Sequence, residues 1–178
     1  MKKTILAVMM VFGFANILSA NDMWVHYGVA SSNTKAGLRA LENAAPESLS
    51  ITSADKLVEE YAAVRDIANQ LRRDDLITWT LNNAAYAKIV LFKKLVRYDE
   101  SNAAINALNP KDKQRTVLVK ALQVEYVKNK SLLEEAVDLL TQAVQVGQHL
   151  ENNTKQWSRI VSNRQFAMDS LIFIDRKF

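Results

Sequence analysis

His26 and His149 are the only imidazoles in the chain. Each could offer a ring nitrogen to a metal ion or a haem iron, with Met23 or Met168 as a second ligand. A helical metal site needs another His or carboxylate one turn away on the same face. Around His149 the chain supplies Gln148 and Glu151, which reads as a solvated helix end where an imidazolium complements the dipole. Paired acids stand at Glu59-Glu60, Asp74-Asp75, Asp99-Glu100 and Glu134-Glu135. General acid–base work needs two carboxylates facing one cleft, whereas neighbours on a helix point about 100° apart. These pairs suit the first turns and outer faces of helices instead. The chain has no His-Glu-x-x-His sequence, phosphate loop or nucleophile elbow. The expectation is therefore a non-enzyme with no catalytic residue, no metal ligand and no cofactor.

Residues suited to contact are easier to find. Trp24 and Tyr27 fall in a segment without apolar period, where an aromatic is as suited to a partner as to a core. Asn82 and Asn83 beside Trp79 would be odd in a purely apolar core, and Tyr86 follows one turn on. Trp24, Tyr27, Asn82, Asn83 and Tyr86 are the partner-binding candidates. Trp79 and Trp157 lie on helical stripes and are expected in the core.

What must position these residues follows from composition and period. The chain has 178 residues, 49% hydrophobic, with 4 Gly, 2 Pro and no Cys. So few breakers in so long a chain imply long helices, and the length suits one core. The missing Cys rules out a disulfide staple, a covalently attached haem and a lipid-anchored N-terminal cysteine. Without Lys2 and Lys3, the 23 Lys and Arg come close to balancing the 19 Asp and Glu. The two signs are interleaved, which excludes the basic stripe that nucleic acid requires.

Residues 1–20 read as a secretory leader: Met-Lys-Lys, an apolar run from Ile5 to Leu18, then Ser19-Ala20. Leu18 occupies a position where the peptidase prefers a small residue, so an uncut N-terminal anchor is the alternative. Either way the bulk of the chain is expected outside the cytoplasm, periplasmic or secreted. Residues 21–50 read as an irregular arm with a short helix from Lys35 to about Ala44, ended by Pro46.

From residue 51 to 178 the pattern is helical. Leu57, Tyr61, Val64, Ala68 and Leu71 form one stripe, capped by Thr52 or Ser53. Asp74-Asp75 restart the pattern, with Leu76, Trp79, Asn83, Tyr86, Ile89, Val90, Lys93 and Val96 as the next stripe. A short helix follows Tyr98-Asp99-Glu100 and breaks at Asn109-Pro110. A helix over residues 111–130 has the stripe Val117, Leu118, Ala121, Leu122, Val124 and Val127. Ser131 and Glu134 have capping-box spacing ahead of Leu133, Ala136, Leu140 and Ala143. A last helix carries Trp157, Ile160, Phe166, Leu171 and Ile174. The fold class expected is all-α.

The segment 122–144, with Tyr126, the acids Glu134-Glu135 and the small residues Ala136 and Ala143, resembles a tetratricopeptide unit. The unit spans about residues 117–147. Residues 81–87 are similar to a first helix of that family, Tyr98-Asp99-Glu100 to its turn, and residues 59–64 to a second helix. The resemblance implies antiparallel hairpins stacked as a short solenoid with a concave protein-binding face. An up-down helical bundle is the alternative architecture.

The function expected is an exported protein–protein interaction or scaffold module of a cell-envelope assembly, with protein partners, no nucleic acid, and membrane contact only through an uncut leader. A structural subunit of a filament, pilus or phage-encoded assembly, self-associating as a homo-oligomer, is one alternative. A cofactor-binding helical bundle is another.

Overall fold

Apolar residues at three- and four-residue steps close into helices throughout the computed structural model, which describes residues 19–150 and 154–177. Among those residues are seven α-helices and no strand: α1 (Ala20–Asn43), α2 (Asp55–Gln70), α3 (Asp74–Leu95), α4 (Tyr98–Asn106), α5 (Lys113–Lys128), α6 (Lys130–Gly147) and α7 (Thr154–Ile174). The fold is all-α. Residues 1–18, the greater part of the expected leader, lie outside the described range.

Helix α3 is the axis of the fold. It packs most extensively on α6, next on α2, and also touches α1, α4 and α7. Ala84, Ala85 and Ala87 are buried along it, with Leu81, Ile89, Leu91 and Phe92 around them. From α6, Leu133, Ala136, Leu140 and Ala143 are all fully buried. Small side chains on both helices let the axes approach, and the larger ones interdigitate beside them. Gly147 extends that close approach to the end of α6. A Cβ there would meet Thr78 Cγ2 at 2.9 Å and the Trp157 ring at 3.3 Å.

The small residues found in the tetratricopeptide-like segment thus do nest a helix, but the helix is α3. Helices α5 and α6, separated only by Asn129, do not lie side by side; α5 packs on α4 and α7. The expected Ser131–Glu134 capping box is also absent. Helix α6 begins at Lys130 with no side-chain cap, and Glu134 pairs with Lys130 at 2.8 Å.

Three other expectations are corrected. Residues 21–34 are not an irregular arm: they belong to α1, which starts with a capping box between Ser19 and Asp22 and runs unbroken to Asn43. Their apolar period is weak because only Tyr27, Ser31 and Thr34 among them are buried. Thr52 and Ser53 do not cap α2; Ser53 Oγ instead accepts from the Ser50 amide in the preceding turn at 2.8 Å. On α5, Val117, Val124 and Val127 face solvent, while Leu122 and Tyr126 are buried and Leu118 is half-buried. The larger Leu118, Leu122 and Tyr126, four residues apart, bury more apolar surface than the valines would.

One buried cation ties the core together. Lys88 on α3 has a side chain only 5% exposed, and its Nζ lies 2.7 Å from Asp55 on α2 and 2.6 Å from Glu135 on α6. Burial pulls the Lys88 pKa down, but the two carboxylates outweigh it and hold the ammonium above its ordinary value. Asp55, expected to serve the α2 dipole, does so from the first turn and also pins α2 to α3.

Candidate functional site

Trp79, Asn83, Tyr86, Val90 and Lys93 recur at steps of three and four along α3, so they share one face. Trp79 on that face was expected in the core, while Asn83 and Tyr86 were expected to contact a partner. The face is the floor of a groove, because α1 and α7 flank α3 without closing over it. Trp79 and Tyr86 are half-buried there, whereas Phe92, fully buried further along α3, packs edge-on against Tyr126 of α5 and Phe166 of α7.

The groove has two cavities that share Tyr86. The first, about 450 Å³, has Lys35 and Leu38 of α1 on one wall, Arg159 and Asn163 of α7 on the other, and Asn82 and Asn83 in its floor. The second, about 550 Å³, runs past Val90 and Lys93 to Lys94, Arg97 and Tyr98. Its far end is tied shut from the α1–α2 connection: Lys94 Nζ donates to the Ala44 carbonyl at 2.8 Å, and Arg97 pairs with Glu47 at 2.7 Å.

Polar groups in the first cavity are linked. Asn163 Nδ2 donates to Asn82 Oδ1 at 3.0 Å, and Asn82 Nδ2 donates to Asn83 Oδ1 at 3.4 Å. Asn82 is 5% exposed, so its amide is fixed by these partners and helps hold α7 to α3. Lys35 Nζ sits 5.2 Å from the centre of the Trp79 ring. Among the described residues, Arg159 forms no ion pair and no carboxylate lines this cavity. Burial, reinforced by the nearby Glu42 charge, raises the Tyr86 phenol above its usual pKa, so it stays a hydrogen-bond donor at neutral pH.

Of the residues expected to contact a partner, the fold brings together Asn82, Asn83 and Tyr86. Trp24 and Tyr27 lie elsewhere, beside the α2–α3 turn. Tyr27 is buried, Trp24 is 42% exposed, and Arg73 stacks over the Trp24 ring at 5.2 Å. Lys35, Arg159 and Asn163 were not singled out in the sequence. They come from helices remote in the chain, and nothing in their local pattern separates them from solvated surface residues. Trp157 is half-buried against the core and contacts the Gly147 region, as its stripe implied.

The histidines are placed separately. His26 is exposed on α1, and His149 is exposed in the short turn after α6, with Nε2 3.2 Å from Asp74 Oδ2. Among the described residues, no group of three or more His, Cys, Asp or Glu side chains is arranged to hold a metal ion. No helix among them is long and apolar enough to cross a membrane. Comparison with protein-family models, curated proteins and solved structures finds no match.

Proposed function

We propose that this chain is an exported, non-enzymatic protein–protein interaction module that works as a scaffold in a cell-envelope assembly, its partner lying in the groove over α3. The observation that carries the reading is the convergence of Trp79, Asn82, Asn83 and Tyr86 with Lys35 and Arg159 on one open face. Aromatic rings, amides and an unpaired cation on rigid helices are what a recognition surface uses. They offer no nucleophile–base pair for a reaction. Export rests on the leader-like residues 1–20 and places the partner in the periplasm or outside the cell. The tetratricopeptide resemblance contributes a mode of use, in which stacked helices display side chains into a groove.

Photo-crosslinking from Tyr86 in intact cells tests this. A single stoichiometric partner, lost when the crosslinker is moved to exposed Lys56 on α2, is the expected result. Recovery of the uncrosslinked chain alone would sink the proposal.

A second reading, self-assembly into a filament or other oligomer, is favoured by exposed aliphatic side chains. Val117, Val124 and Val127 stand out from α5, and Val161, Met168 and Ile172 from α7. Light scattering of wild type and of the Val124→Glu, Ile172→Glu double variant separates the two readings. A polymer dissolved by the variant supports self-assembly; a monomer in both removes it.

A further inference from the structure

The amides of the first cavity form a chain with a direction. Asn163 donates to Asn82, and Asn82 donates to Asn83. An amide carries both donors and an acceptor, so the relay leaves an N–H of Asn83 free at one end and the carbonyl of Asn163 free at the other. Neither end has a further partner among the described residues. A ligand that satisfies both must supply an acceptor and a donor. Peptide backbone offers these at every residue, whereas a sulfate offers acceptors alone.

Charge and length narrow the occupant further. Lys35 and Arg159 face the same cavity from opposite walls, without a carboxylate among the described residues of its lining. In the second cavity Lys93, Lys94 and Arg97 are matched by Glu42, Asp99 and Glu100, and Arg97 pairs with Glu47 and Glu100. Net positive character is thus concentrated at one point of the groove. From Trp79 to Lys93 the floor runs about 21 Å along α3. That is the reach of roughly six extended residues, and too long for one sugar ring or a free amino acid.

We infer that the groove takes an extended, acidic peptide segment, its main chain paired with the free ends of the Asn83–Asn82–Asn163 relay and one carboxylate seated between Lys35 and Arg159. This rests on the reading of the groove as a protein-binding surface and adds the chemistry of its occupant. A carboxylate there gains two charge-assisted contacts.

Selection of a displayed random octapeptide library on the purified full chain, followed by fluorescence anisotropy of the winners, tests it. Bound octapeptides should carry Asp or Glu at one recurrent position. Lys35→Gln with Arg159→Gln should weaken them about tenfold or more. Asn83→Leu should weaken them as well, and Lys35→Glu with Arg159→Glu should turn the selection toward basic octapeptides. Lys35 and Arg159 are exposed, so an unchanged thermal melt confirms that these variants fold. Winners without an acidic position, or acidic winners indifferent to the Gln variants, would overturn the inference. So would oligogalacturonate binding through Lys35 and Arg159 with no octapeptide bound. A Tyr86-crosslinked partner alongside any of those results leaves the interaction reading standing. Acidic octapeptides bound as expected, with no partner captured in cells, would sink the envelope reading alone.

Discussion

Lys88 shows how a charged side chain can be a core residue. Its ammonium is buried, while Asp55 and Glu135, which hold it, are about half exposed. The carboxylates can rehydrate if the cation is removed, but the cation cannot if they are. Lys88→Met is therefore expected to cost little, within about 1 kcal/mol, because a similar apolar volume replaces a costly desolvated charge. Asp55→Asn with Glu135→Gln should cost about 3 kcal/mol or more, because it strands that charge. Urea unfolding of the three proteins measures the asymmetry; equal losses would contradict it.

Alkaline pH probes the same core from another residue. Tyr61 is 1% exposed, and burial, opposed by its hydrogen bond to Thr34, pushes its phenol up to about 12. The unfolded chain releases that proton near pH 10, so the native state binds more protons between those values. Stability is then fully present below pH 10 and falls as pH rises toward 12. The raised Lys88 pKa acts with the same sign: its contribution is complete below the unfolded lysine value and is lost as pH passes the folded one. A Tyr61→Phe variant should lose less Tm than wild type between pH 9 and 11.5, in the order-of-magnitude range set by a shift of about two pK units.

At the scale of elements, the α3–α6 contact is the joint on which the groove depends, and Gly147 is its tightest point. Adding a methyl group presses on Thr78 Cγ2, which branches from a helix backbone and has little freedom to move. Gly147→Ala is expected to destabilise by about 1–3 kcal/mol despite the better helix propensity of alanine. Thr78→Ser removes the obstructing methyl and should recover part of that loss in the double variant. Additive losses in thermal melts would show that the clash is not the cause. Arg72 and Arg97, just past the ends of α2 and α3, adopt left-handed backbone with φ of 53° and 48°. After α2 the amides of Arg72 and Arg73 reach back to Asn69 and Ala68, the hydrogen-bond pattern that normally recruits glycine.

At the scale of the whole molecule, contacts are unevenly distributed. Helices α2, α3, α6 and α7 form the densely packed body, whereas α4 and α5 make an excursion between α3 and α6 with fewer contacts to the rest. Local opening follows packing density. Amides of α3 and α6 should exchange slowest with deuterium, and those of α4 and α5 first, with the groove floor protected throughout. Protection of α5 equal to that of α3 would show that the excursion belongs to the body.

Helical class was legible from residue order alone, because each helix makes its own backbone hydrogen bonds and announces itself by an i, i+3, i+4 recurrence of apolar side chains. The breaks at Asn109-Pro110 and before Asp74 were legible too, since proline chemistry and acidic first turns act within a few residues. Asn82, Asn83 and Tyr86 could be singled out because amides amid apolar residues contradict their own stripe. Which face of α3 meets a neighbour, and which becomes a groove floor, could not be read that way. Trp79 and Leu91 look equally apolar in the sequence; only the positions of α1, α6 and α7 make one a groove floor and the other core. The same holds for Lys88, Lys35 and Arg159. Their partners and cavity-mates lie tens of residues away, and the energies of burial and charge pairing depend on distance in space, which local sequence does not encode.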